Sequence, residues 1–352
     1  MGCSWWASWS STALRPRSPS TSESRYVNRP TVTVALPVRD GGAGLEATLH
    51  AVRAQEFDPP PELLVCDSGS SDGSPEVARR HGARLISIPP ASFAHGPTRN
   101  LLMQEAHGDK VVFLSQDAQP DSRGWLAALV RGFAAGERVA LVYGPYRPRP
   151  GEPVCVAREL VEWFAGLSPD GRGRLDRLDP DELGLPAAKL LGPRCFFTDA
   201  NGAVDRAAWQ RVPFRGIAYA EDQALALDML RAGFAKVYVP AAAVLHSHGY
   251  PPLAHYRRCF DEWRALREIF GHRESADPRR LLYEVRRGVS GDVRYARRSG
   301  WDGAALAAQA RRSVVHHTLR QAGAITGSRA DRLPPWLRRW CSLEGRRELY
   351  LA

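Results

Sequence analysis

Cysteine is scarce and scattered. The six thiols, Cys3, Cys66, Cys155, Cys195, Cys259 and Cys341, form no C-x-x-C pair. That excludes a zinc ribbon and gives no disulfide framework, so a reducing cytoplasm is the simpler setting. No stretch approaches the ~18 consecutive apolar residues of a membrane-spanning helix. No internal repeat marks a solenoid. Met1 to Pro30 lacks the basic start and continuous apolar core of a secretory signal. It is rich in Ser, Arg and Pro, contains three tryptophans, and reads as a disordered segment.

What is present is ordinary for a globular protein: 44% hydrophobic and 24% charged residues over 352 positions. A chain of that length buries a sizeable core without staples. Charge is unevenly placed. Pro251 to Ala352 holds 21 arginines against 11 acids, a balance of +10, whereas the 27 basic and 27 acidic residues before it cancel. A basic tail fits an anionic partner such as a membrane surface, nucleic acid or a phosphate-bearing substrate; it equally fits a solvated arginine-rich helical face.

Order is expected from Thr31. Thr31–Leu36 is a β-branched run that predicts a buried strand. Glu62–Cys66, Arg84–Ile88, Lys110–Leu114 and Ala140–Tyr143 predict four more. Between them Leu45, Leu49 and Val52, then Ser74–His81, Thr98–Ala106 and the Trp125–Phe133 face predict helices. Alternation of this kind implies right-handed crossovers and a mainly parallel sheet. Pro153–Leu167 reads as a helix, Ser168–Pro193 as a long loop, Cys195–Thr198 as a short strand and Glu221–Ala232 as a helix. Val237–Val239 and Ala243–Leu245 read as short strands, and from Tyr250 onward the chain reads as amphipathic helix.

Ligands of such sheets bind beyond the carboxyl ends of the strands. Asp67 and Asp117 both fall at expected strand ends, so one crevice suits both. Asp67 opens Asp67-Ser-Gly-Ser-Ser-Asp72, a turn that suits a base or ribose contact and whose amides favour an anion; simple capping of the turn is the alternative. A single carboxylate in Gln116-Asp117-Ala118 suits Mg²⁺, which takes few protein carboxylates plus substrate phosphates. Glu221-Asp222 opens an apolar helix, where acids suit the dipole and one could act as a general base. His246 and His248 stand two apart in an extended segment, so both imidazoles face one side. His95-Gly-Pro-Thr-Arg99-Asn100 sets an imidazole and a guanidinium beside a turn, suited to a phosphate or sugar.

In this order the motifs resemble those of family-2 glycosyltransferases of the GT-A fold, and within them most the bacterial rhamnosyltransferases. The resemblance runs from about Val32 to Tyr250. It implies an α/β, Rossmann-like nucleotide-binding sheet spanning 31–250 and a basic helical C-terminal region, 251–352. It implies donor contacts from Pro37, Arg39, Asp67, His95, Arg99 and Gln116, and acceptor contacts from Asp199 and Asn201. Asp117, His246 and His248 would hold Mg²⁺ or Mn²⁺, with Asp222 the base and Glu221 beside it. The activity implied is inverting transfer of a sugar, rhamnose from dTDP-rhamnose, onto a hydroxyl of a cell-envelope saccharide or lipid-linked glycan. The setting is the cytoplasm, with the basic tail suited to the inner membrane face and not to nucleic acid. The single carboxylate at Gln116-Asp117, where the family usually has two, keeps open a non-catalytic binding scaffold. A nucleotidyltransferase is disfavoured because Arg39-Asp40-Gly-Gly-Ala-Gly44 is too short and weak a glycine-rich loop.

Overall fold

The computed structural model describes residues 31–344; the segment 1–30, expected to be disordered, lies outside the described residues. The first half alternates strands and helices: β1 Val32–Val38, α1 Gly42–Arg53, β2 Glu62–Asp67, α2 Ser74–Arg80, β3 Arg84–Ser87, α3 His95–Glu105, β4 Lys110–Leu114, β5 Gln119–Pro120, α4 Trp125–Gly132 and β6 Val139–Tyr143. The helices bury the expected periodic positions, among them Leu45, Leu49 and Val52 on α1 and Trp125, Leu126 and Leu129 on α4. Then come β7 Tyr146–Arg147, α5 Val154–Leu167, β8 Arg174–Asp176, α6 Ala187–Leu190, β9 Asn201–Asp205, α7 Arg206–Arg211, α8 Glu221–Arg231, β10 Ala235–Tyr238 and β11 Val244–Leu245. Four helices end the chain: α9 Pro252–Phe270, α10 Pro278–Arg298, α11 Gly303–Gly327 and α12 Pro335–Cys341.

The main sheet runs β3-β2-β1-β4-β9-β6-β10-β8, and β5-β11-β7 form a small second sheet. Pairings among β1, β2, β3 and β4 and between β6 and β10 are parallel, as alternation predicts. The central β9 runs antiparallel between β4 and β6. Its sequence Asn-Gly-Ala-Val-Asp is poor in strand formers, so only its two flanking strands make it one. Gly202 is required there: a Cβ would meet the carbonyl of Thr198 at 2.3 Å.

Cys195–Thr198, expected as a strand, is instead a short 3-10 turn (Pro193–Cys195) leading into extended chain. Phe196 and Phe197 are buried by packing on Tyr143, not by strand pairing. The expected loop 168–193 also contains β8 and α6. β8 is fixed by the ion pair of Asp176 with the fully buried Lys236 of β10, at 2.8 Å.

The last helices are bound into the core. Ala265, Ile269 and Phe270 of α9 share an apolar cluster with Leu227 and Leu230 of α8. α11 lies close along α9 because it is glycine there: a Cβ on Gly327 would meet the Phe260 carbonyl at 2.3 Å. Among the described residues no helix is long and apolar enough to cross a membrane. The five described cysteines are all buried and unpaired with one another.

Candidate active site

β1 lies between β2 and β4, with Val38 opposite Asp67 and Ala35 opposite Phe113. Asp67 and Asp117 therefore flank the exit of one central strand. The buried Asp67 carboxylate accepts from the amides of Gly69 (3.1 Å) and Ser70 (3.3 Å), which shapes the turn around it. Asp72 fastens that turn to α1, accepting from Gly42 N at 2.8 Å and from the Ser74 hydroxyl. Pro37 and Arg39 lie at the β1 exit, Arg39 with its side chain in the open.

Asp117 lies directly past β4. Its Oδ1 is 3.4 Å from His246 Nδ1 and its Oδ2 is 3.7 Å from His248 Nε2. The two rings touch edge to face at 4.7 Å, so the extended segment turns both toward one carboxylate. Burial pushes the Asp117 carboxyl up, but His246, His248 and Arg149 outweigh it and hold it at about 2. Burial and the neighbouring His246 press His248 down to about 4, leaving it neutral at pH 7. The buried His246 Nδ1 has no hydrogen-bond partner of good geometry. An orphaned ring nitrogen aimed at a carboxylate and a second neutral imidazole form a donor set that fits a divalent cation. Tyr146 supports His246 edge-on at 4.9 Å, and its hydroxyl bonds to that of Thr198.

A second cluster is built on the start of α8. Ala220 adopts a left-handed conformation, φ +60°, which costs a non-glycine residue about 1–2 kcal/mol and turns Glu221 and Asp222 into the cavity. The buried Arg99 guanidinium grips Asp199 with Nε and with Nη2 (2.8 Å), and Glu221 with Nη1 (2.9 Å). His95 stands 3.7 Å from Glu221 and 3.7 Å from Glu344. Two carboxylates, Asp199 and Glu221, thus share one guanidinium. Burial, with the charges of Asp199 and Glu221, pushes the half-buried Asp222 well above the ordinary carboxylate range. Burial raises Asp199 as well, to about 7, while Arg99 draws it toward the ionised form. Among the described residues no cation pairs directly with Asp222, so nothing beside it offsets its rise as Arg99 does for Asp199.

Both clusters open on one cavity of about 350 Å³, lined by Asp199, Glu221, Asp222, His246 and His248 and by the aromatic rings of Tyr146, Trp163 and Tyr219. Three sequence expectations are corrected. Asn201 does not face this cavity: it is fully buried, donates to the carbonyls of Pro145 (3.2 Å) and Ala242 (2.8 Å), and accepts from Trp125 Nε1 (2.9 Å). The Gln116 carboxamide is taken by the Arg39 backbone, accepting from its N at 2.8 Å and donating to its O at 3.0 Å, so it fixes the β1 exit. Arg99 is held by carboxylates and so is not open to a phosphate.

Three functional candidates escape the sequence. Arg149 lies 3.8 Å from Asp117 Oδ2 and donates to the Asp117 carbonyl. Arg258 lies over the Tyr219 ring at 4.7 Å. Glu344 reaches His95 because Asp261 accepts from Leu343 N and Glu344 N and holds this segment in place. Nothing local in the sequence distinguishes these arginines or this glutamate from surface charge.

Residues 33–187 match the model of the glycosyl transferase family 2. The chain is 29% identical over 242 residues to the O-antigen chain rhamnosyltransferase WbaN of Salmonella anatum, covering 66% of this chain and 71% of that protein. It is 26% identical over 233 residues to the O-antigen chain rhamnosyltransferase RfbN of Salmonella typhimurium, covering 65% and 70%. A solved mannosyltransferase of Pyrobaculum calidifontis, in complex with GDP-mannose and Mn²⁺, superposes with a TM-score of 0.55 at 18% identity, over 85% of this chain and 87% of that one. The chain thus has the GT-A fold, resembles family-2 glycosyl transferases over residues 33–187, and is similar to bacterial rhamnosyltransferases.

Proposed function

We propose that the protein is an inverting, metal-dependent transferase that moves rhamnose from dTDP-rhamnose onto a hydroxyl of a cell-envelope saccharide or lipid-linked glycan. The observation that carries this is the convergence of Asp117, His246 and His248 on one point beside the cavity that holds Asp222. Asp67 and the β1 exit at Pro37 and Arg39 take the nucleoside. Asp117, His246 and His248 would hold the cation, which offsets charge on the departing diphosphate. Of Mg²⁺ and Mn²⁺, a set with two imidazoles fits Mn²⁺ better. Arg149, beside Asp117, is placed to meet the diphosphate.

Asp222 accepts the proton of the attacking hydroxyl as that oxygen bonds to the anomeric carbon and the bond to the diphosphate breaks. Arg99 holds Asp199 and Glu221 in place beside it, and Asp199 faces the acceptor. The residues 31–250 form the transferase unit. The basic helical region 251–352 supports peripheral attachment to an anionic membrane surface from the cytoplasmic side.

Calorimetry with dTDP, UDP and GDP, each with and without Mn²⁺, tests the reading on wild type and Asp117→Ala. Mn²⁺-dependent binding of dTDP, lost in the variant, is expected. A folded wild type that binds none of the three nucleotides would sink the proposal.

A further inference from the structure

α11 buries a polar face. Ser313, His317 and Arg320 lie i, i+4 and i+7 along it and are all buried, where a helix packed on a core normally presents apolar side chains. α10 makes room for them: a Cβ on Gly288 would meet the His317 ring at 2.6 Å. The adjacent His316 stacks its ring on that of His255 of α9 at 4.0 Å. Both imidazoles face Glu159 of α5. His316 Nε2 lies 3.2 Å from Glu159 Oε2, and His317 Nδ1 lies 3.6 Å from Oε1.

The surrounding hydrogen bonds aim donor atoms at one point. The other His317 nitrogen, Nε2, is 2.8 Å from Oδ2 of the buried Asp292 of α10. Asp292 also takes hydrogen bonds from Ser313 and from the Arg158 guanidinium, so it is an ionised acceptor. An ionised carboxylate only accepts, so Nε2 carries the ring hydrogen. In a neutral ring Nδ1 then holds a lone pair, and that lone pair points at a carboxylate oxygen. A proton or a metal ion between them removes the repulsion. A proton serves one nitrogen, whereas here two nitrogens and a carboxylate converge: one donor atom from each of Glu159, His316 and His317 lies within 4.8 Å of the other two. Zn²⁺ bound at ~2.0–2.1 Å sets tetrahedral ligands about 3.4 Å apart, which the 3.2 and 3.6 Å separations bracket. The outer contacts also match a metal site. Ligating histidines donate their second nitrogen to a carboxylate, as His317 does to Asp292, and ligating carboxylates accept an outer hydrogen bond, as Glu159 does from Arg320.

We infer that Glu159, His316 and His317 form a second metal site, for Zn²⁺, that ties α11 to α5. It shares no residue with the set at Asp117. Two imidazoles and one carboxylate are a zinc ligand set that leaves a fourth position to water. Glu159 and His316 belong to the wall of the catalytic cavity, so the ion braces that wall from the helical side. The site does not depend on the reaction assigned to Asp222.

The test uses the full chain stripped of metal by a chelator, carrying Asp117→Ala to silence the set at His246 and His248. Zn²⁺ is titrated by calorimetry and Co²⁺ by visible absorption, with and without a further His316→Gln or Glu159→Gln. Asp117→Ala is expected to bind Zn²⁺, to melt at a higher temperature with it, and to give the intense visible bands of tetrahedral Co²⁺. Either further substitution should lower Zn²⁺ affinity by more than the ~10–100-fold that loss of an outer contact costs, and should abolish the Co²⁺ bands. Gln at 316 can still donate to Glu159, so the metal-free packing is kept and circular dichroism of the stripped proteins should match. An Asp117→Ala chain that takes up no Zn²⁺ would overturn the inference and leave a proton at His317. Zn²⁺ binding undiminished in both further variants would overturn it as well.

Discussion

Arg99→Met tests how the acidic cluster is held together. Among the described residues Arg99 is the one guanidinium that contacts both Asp199, through Nε and Nη2, and Glu221, through Nη1, and all three side chains are buried. Methionine fills much of the volume of the arginine stem, so the change is electrostatic. Removing one partner of a buried ion pair costs about 3–5 kcal/mol, because the charge left behind is uncompensated. Protonation relieves that cost. In the variant Glu221 joins Asp199 and Asp222, already raised in the wild type, in having a folded pKa above its unfolded one. For a carboxyl raised in this way the folded state binds the extra proton, so stability is highest at low pH and falls as pH rises toward the folded pKa. Each additional proton held only by the folded state contributes about 1.4 kcal/mol per pH unit. The gap between wild type and variant should therefore widen by up to about 2.7 kcal/mol from pH 6 to pH 8. Urea unfolding followed by circular dichroism at pH 6, 7 and 8 reads this directly. The second substitution Asp199→Asn, which deletes one stranded charge, should restore part of the loss. A cost below about 1 kcal/mol, or one that does not change with pH, would refute the account of one guanidinium holding the cluster.

Other outcomes follow from the same geometry. Asp222→Asn should keep metal-dependent nucleotide binding and lower turnover at least ~100-fold; full turnover would remove Asp222 from the base role. Because burial and its neighbours raise Asp222, a base at this position is active only above its pKa. The rising limb of the turnover–pH profile should then lie well above the ordinary carboxylate range, and a limb near pH 4 would contradict the assignment. Asn201→Ala strands Trp125 Nε1 and two buried carbonyls, each worth about 1–3 kcal/mol. It should fail as a stability variant; a stable protein with only a weaker acceptor affinity would restore the acceptor role. A chain ending near Tyr250 would uncover Leu227 and Leu230, which α9 covers. It should aggregate or unfold, and a monomeric, cooperatively unfolding product would show the helices to be dispensable.

Much of the fold was legible in local pattern. The runs 32–38, 62–67 and 110–114 are β-branched and apolar enough to be strands wherever they sit, and Leu45, Leu49 and Val52 carry a helical period by themselves. The acids at the ends of those strands followed from the same pattern, because a parallel sheet directs its strand ends to one edge. The spacing of His246 and His248 fixed their common side before any partner was known. Local signals failed where neighbours decide the conformation. Asn201–Asp205 has weak strand propensity and becomes a central strand only because β4 and β6 leave one slot between them, and the phenylalanines of 195–198 have the apolar pattern of a strand although packing is what buries them. Role assignments failed for a related reason. Whether Asn201, Gln116 and Arg99 meet a ligand depends on which groups reach them first in three dimensions. Trp125, the Arg39 backbone and Asp199 lie between 76 and 100 residues away in the chain. The sequence by itself set the residue types, the periods and the strand-end acids, since these depend on covalent neighbours. Tertiary structure alone decided which charges pair, which polar groups are already satisfied, and that Arg149, Arg258 and Glu344 come to the site, since hydrogen bonding and burial are properties of contacts between distant segments.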